Sequence, residues 1–173
     1  RAKQFDVPFT ASAADNYILN DHNPDFRVLD LSSSTFNDAS CSYFHKSIGG
    51  YHGAKLQRYQ DIIEGYIQGE IQSIASVLTK GVTLQMIDSM FTKQQVLNML
   101  NTKYVIVNPE AMPLLNKSAF GNAWFVNNVV MVNSADEEIN ALGKNNLQNA
   151  AIVDTRFASQ IEGKNFIKDS TSS

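Results

Sequence analysis

The stretch Ala54-Lys55-Leu56-Gln57-Arg58-Tyr59-Gln60-Asp61-Ile62-Ile63-Glu64-Gly65-Tyr66-Ile67-Gln68-Gly69-Glu70-Ile71-Gln72-Ser73-Ile74-Ala75-Ser76-Val77-Leu78 decides the fold. Its apolar residues fall at Leu56, Tyr59, Ile62, Ile63, Tyr66, Ile67, Ile71, Ile74 and Leu78. These are steps of three and four, which put one apolar stripe on a single long helix. Gly65 and Gly69 each weaken such a helix by about 1 kcal/mol relative to alanine. They predict a bend or a close helix contact, and Gly81 supplies a stop signal. A one-sided helix has to bury its stripe against another layer, so the sequence around it is read for strands.

Strands are expected on both sides. Phe26 to Leu31 alternates around Val28 and Leu29, and Lys103 to Val107 is apolar and closed by Asn108-Pro109. Ala123 to Val132 reads as one strand with Trp124, Val126, Val130 and Val132 on one face, and Ala150 to Asp154 is the last. Thr92 with Gln95 and Ser134 with Glu137 have the spacing of capping boxes, each opening a short helix. Residues 110–122 read as a loop. The predicted architecture is α/β or α+β: a mixed sheet of about four or five strands covered by helices, one of them long and amphipathic. The Lys103–Val107 and Trp124–Val132 strands are expected in one sheet. The long helix is expected to pack on it through Tyr59, Ile62, Ile63, Tyr66 and Ile67.

Composition narrows the partners. The chain has 173 residues, enough for one domain with a core that needs no staples. Residues 1–25, with Pro8 and Pro24, read as an extended segment, 26–155 as a single domain and 156–173 as a polar tail. The net charge of −3 argues against a nucleic-acid groove, which needs a basic face. Cys41 is the one cysteine, so no intrachain disulfide forms. No run approaches the roughly 18 to 20 apolar residues that span a bilayer, and Arg1 to Thr10 lacks the apolar core of a signal peptide. The abrupt ends read as those of a fragment of a longer protein.

The densest chemistry precedes the helix, in Ser42-Tyr43-Phe44-His45-Lys46-Ser47-Ile48-Gly49-Gly50-Tyr51-His52-Gly53. A glycine-rich turn that feeds a helix offers N–H groups and the positive end of the dipole to an anion. Lys55 and Arg58 share a helix face, and Lys46 precedes the turn. The candidate binding residues are His45, Lys46, Gly49, Gly50, Tyr51, His52, Lys55, Arg58 and Tyr59. The plainer reading of the same glycines is a structural turn that starts the helix, and of the basic residues a solvated face. No phosphate loop, dinucleotide fingerprint or nucleophile elbow occurs, and His22, His45 and His52 do not have metal-ligand spacing. No cofactor and no metal are expected, and no catalytic residue is assigned.

Several passages together resemble the YfhO-like family of bacterial multi-pass membrane proteins. They are Phe26-Arg27-Val28-Leu29-Asp30-Leu31, Ser42 through Gln60, Val96 through Ile106, and Gly121-Asn122-Ala123-Trp124-Phe125-Val126 running into Val132-Asn133-Ser134. The resemblance covers most of residues 5–155. It implies the soluble extracytoplasmic (periplasmic) part of a glycosyltransferase-like protein of the cell envelope. The membrane domain of the same chain would be its partner and a polyprenyl-phosphate sugar or envelope glycan its ligand. The resemblance further implies that the fragment is not catalytic alone. Another reading is a non-catalytic binding module for glycans or envelope partners, and a third is a free-standing enzyme with His45 or His52 as base.

Overall fold

The computed structural model describes residues 9–164 apart from Pro24, His52, Lys80 and Val82. It is mixed helix and strand, as expected, but its strands form one three-stranded and one two-stranded sheet instead of a single sheet. The chain divides into two compact units, Arg1–Ala54 with Leu100–Ala119, and Lys55–Met99 with Phe120–Ser173. The segment 26–155, read from the sequence as a single domain, contributes to both.

In the first unit β1 (Arg27–Asp30) pairs in parallel with β2 (Thr102–Ile106), and β2 pairs antiparallel with the two-residue β3 (Leu114–Leu115). The predicted extended N-terminal segment instead contains α1 (Ala13–Leu19). Ser12 caps it and Asp15 reaches back to the Ser12 N–H, a complete capping box. The helix buries Ala14 and Ile18 against Val28, Cys41, Tyr104 and Ile106. A further short helix, α2 (Cys41–Phe44), leads into the glycine-rich run.

Asp21 locks this unit. Its carboxylate accepts from the Lys103 ammonium, the Asn23 N–H and the Tyr104 hydroxyl, which hold it down at about 2. A depressed acid stabilises the fold above its ordinary value of 3.8 and loses that contribution as pH falls through about 2. Urea unfolding below about pH 4 should therefore show a loss of stability in the native chain that is shallower in Asp21→Asn. Identical slopes for the two proteins over that window would contradict the assignment.

The second unit holds the predicted long helix, built as α3 (Gln57–Ile62), a π-helical turn over Ile63–Ile67, and α4 (Gln68–Leu78). The π turn widens the helix where Gly65 sits and rotates the residues on either side relative to a uniform 3.6 period. Ile63, Ile67 and Ile74 are buried, while Leu56 stands just before the helix and is 78% exposed. The stripe inferred from periodicity was therefore too long at its N-terminal end.

Next come α5 (Leu84–Thr92) and α6 (Gln95–Met99). Thr92 does not cap α6 as its spacing with Gln95 suggests; its hydroxyl donates to the Ser89 carbonyl. Glu70 of α4 does so instead, accepting the Val96 and Leu97 N–H groups at 2.9 Å each. Burial pushes the Glu70 carboxyl upward, and these two hydrogen bonds partly offset it.

The second sheet pairs β4 (Asn128–Val132) in parallel with β5 (Ala150–Asp154), and α7 (Ala135–Leu142) connects them. The predicted strand from Ala123 is thus shorter, since residues 123–127 lie outside it. It does not share a sheet with β2. The Ser134 cap is present, its hydroxyl accepting from the Glu137 N–H at 3.2 Å. No helix among the described residues is long and apolar enough to cross a membrane.

Candidate functional site

The glycine-rich run is built into the first unit. Val28 donates to the Lys46 carbonyl and Ile48 donates to that of Val28, so residues 46–48 lie along the edge of β1. Gly50 takes a φ of +115°, a conformation that favours glycine. Gly49 passes so close to Thr35 that a Cβ there would sit 1.8 Å from the Thr35 carbonyl oxygen. These two glycines answer to packing and backbone geometry.

His45 is a brace in this arrangement. Its Nε2 lies 2.8 Å from Asp15 Oδ1 and its side chain is 3% exposed, so the ring ties α2 to α1. Burial raises the Asp15 carboxyl. The Ser12 hydroxyl, the Ser12 N–H and His45 more than offset this and leave it below the usual range. A general base has to reach its substrate, and a ring this enclosed does not. Lys46 is exposed and pairs with Asp25 at 2.9 Å. Tyr51 is 71% exposed, and His52 lies outside the described residues.

Lys55, Arg58 and Tyr59 belong to the second unit. The run from 43 to 59 is therefore split between two units, and neither one by itself holds Lys46 together with Lys55 and Arg58. The helix after the glycines starts only at Gln57, and no side chain caps it. The predicted anion cradle is thus not assembled within either unit.

Arg58 instead marks a different site. Together with Asp61 and Ile62 of α3 it forms one wall of a cleft of about 440 Å³. The other walls come from α7 and from β5. Ile139 and Leu142 of α7, Leu147 and Ile152 give it an apolar interior, and Trp124 closes one side. The small side chains of Ala135, Ala150 and Ala151 leave the hollow open. The indole is fixed: its N–H donates to the Leu147 carbonyl at 3.1 Å and its ring packs at 5.1 Å from that of Phe120.

The two helical walls are joined beside the cleft. The Tyr66 hydroxyl donates to the Ile139 carbonyl at 2.7 Å and accepts from the Gly143 N–H at 3.1 Å. The Arg58 guanidinium lies 3.6 Å from Glu138. The polar groups of the cleft are Arg58, Asp61, Asp136 and Glu138. No hydroxyl, thiol or imidazole lines it among the described residues. Such a lining is suited to recognition: an apolar body with a few convergent polar groups that orient a ligand. The sequence signals were Trp124, the chain's single tryptophan, and the Ala150-Ala151 pair opening a strand.

The first unit has a smaller cavity of about 200 Å³ where β1 and β2 end, between Asp30, Cys41, Phe44 and Ile106. Its carboxylates are already engaged. Asp30 accepts from the Ser32 N–H and hydroxyl at 2.8 and 2.6 Å, and Asp15 from Ser12 and His45. Burial pushes the Cys41 thiol up to about 11, which makes it a poor nucleophile. Among the described residues no group of three or more His, Cys, Asp and Glu is placed to hold a metal ion. Comparison with models of known families, with characterised proteins and with solved structures finds no match to this chain.

Proposed function

We propose that this chain is the extracytoplasmic domain of a multi-pass membrane protein of the glycosyltransferase-like YfhO type, on the periplasmic face of a bacterial inner membrane. In this reading the domain works with the membrane part of the same chain, holding an envelope glycan without turning it over. The observation that carries the binding role is the cleft of the second unit. It sets the indole of Trp124 beside a carboxylate-bearing rim of Asp61, Asp136 and Glu138. An aromatic face covers the C–H face of a sugar ring, and carboxylates accept hydrogen bonds from its hydroxyls. The described lining offers no hydroxyl, thiol or imidazole, and the His45 side chain is enclosed, which supports holding over chemistry.

Calorimetric titration of the purified domain with envelope-type oligosaccharides tests this. Saturable binding is expected, weakened about tenfold or more by Trp124→Ala. The same mixtures should contain no cleaved or transferred sugar after prolonged incubation. Turnover lost on His45→Ala would overturn the non-catalytic reading, and absence of any saccharide binding would overturn the glycan reading.

A further inference from the structure

We infer, on the reading of the cleft as a glycan site, that it selects saccharides bearing a protonated amine over N-acetylated and anionic ones. The argument is a count of what the cleft can give and take. Its ionisable groups are Asp61, Asp136, Glu138 and Arg58, three acids against one base. The one guanidinium already lies 3.6 Å from Glu138 and so spends part of its charge there. Asp136 and Glu138 both stand in the first turn of α7, on the same rim.

The hydrogen-bonding capacity is equally one-sided. Ionised carboxylates only accept. The Trp124 N–H, which would otherwise be a donor, is committed to the Leu147 carbonyl. Arg58 is then the one side chain of the described lining with donors to offer. A ligand has to bring donors, and positive charge is favoured over negative. A sugar ammonium brings three N–H donors and a full charge, and its bonds to carboxylates are the strong, charge-assisted kind. N-acetylation removes the charge, leaves one donor and adds a carbonyl that needs a donor in return. A uronate or sugar phosphate sets like charge against the rim. This departs from the polyprenyl-phosphate head group that the family resemblance implies.

The test uses the fluorescence of Trp124, the single tryptophan of the chain, which reports on this cleft alone. The probes are a glucosamine tetramer, its N-acetylated counterpart and a uronic acid tetramer. The amine form should bind about tenfold tighter than the acetylated one, and the uronate weakest. The double variant Asp136→Asn with Glu138→Gln should bring the amine and acetylated forms to within about threefold of each other. Asp61→Asn should move the ratio in the same direction, and serves if the double variant does not fold. Equal or tighter binding of the acetylated or uronate probe would overturn the charge selection while leaving the glycan reading intact. No response to any of the three would overturn both.

Discussion

Gly49→Ala should unfold or severely loosen the first unit, at a cost of about 4 kcal/mol or more, in the range reserved for named steric failures. The new Cβ would lie 1.8 Å from the Thr35 carbonyl oxygen and 2.7 Å from its carbon. Both are backbone atoms, so no rotamer change relieves the clash. Thr35 is also held from two sides. Its hydroxyl donates to the Asp30 carbonyl at 2.7 Å, and its own carbonyl accepts from the Gly50 N–H at 2.7 Å. Moving it breaks the link between the end of β1 and the glycine-rich run. Gly53→Ala is the control, since a Cβ there meets nothing within 4 Å; it should change stability by less than about 0.5 kcal/mol. Urea unfolding of both variants checks the pair. A loss below about 1 kcal/mol for Gly49→Ala would contradict the packing of the run against Thr35.

Ile63→Ala should destabilise the second unit by roughly 2 to 5 kcal/mol, the range for emptying a packed aliphatic site. Ile63 opens the π turn and is 1% exposed. Leu56 offers the comparison: apolar and in phase with the same stripe, yet 78% exposed. Leu56→Ala should alter stability by less than about 0.5 kcal/mol. Thermal and urea unfolding would separate the two. Near-equal costs would mean that Leu56 is packed in the core as the periodic stripe predicts, and would contradict its position outside the helix.

These two predictions also mark what could be read from the residues alone. The helical stretch over 57–78 and the strand over Ala150–Asp154 follow from apolar spacing, a local property. The Ser134 cap follows from a spacing of three. Other elements depended on partners distant in sequence. The cap of α6 comes from Glu70, about two dozen residues upstream, so no local spacing points to it. Helix α1 lay hidden in a mixed segment between Pro8 and Pro24, where its buried residues are Ala14 and Ile18. The division of the described strands between two sheets is set by pairing, which periodicity does not encode.

The site was legible in part for the same reason. Residue density pointed to the run around Gly49 and Gly50, but density measures constraint as readily as function. There the constraint is steric at Gly49 and an enclosed contact with the Asp15 carboxylate at His45. Of the residues singled out, Arg58 lines the larger cleft. The other parts of that cleft come from Trp124, α7 and β5, tens of residues after Arg58, and none forms a motif.

The most direct test of the account is where a glycan touches the molecule. A nitrogen–proton correlation spectrum of the labelled domain should contain one indole signal, from Trp124. Titration with an oligosaccharide should shift that signal together with the amides of Ile139, Ala151 and Ile152, while those of His45, Gly49 and Tyr51 stay in place. Shifts confined to the 43–53 run, with the indole unmoved, would place the site in the first unit and contradict the account.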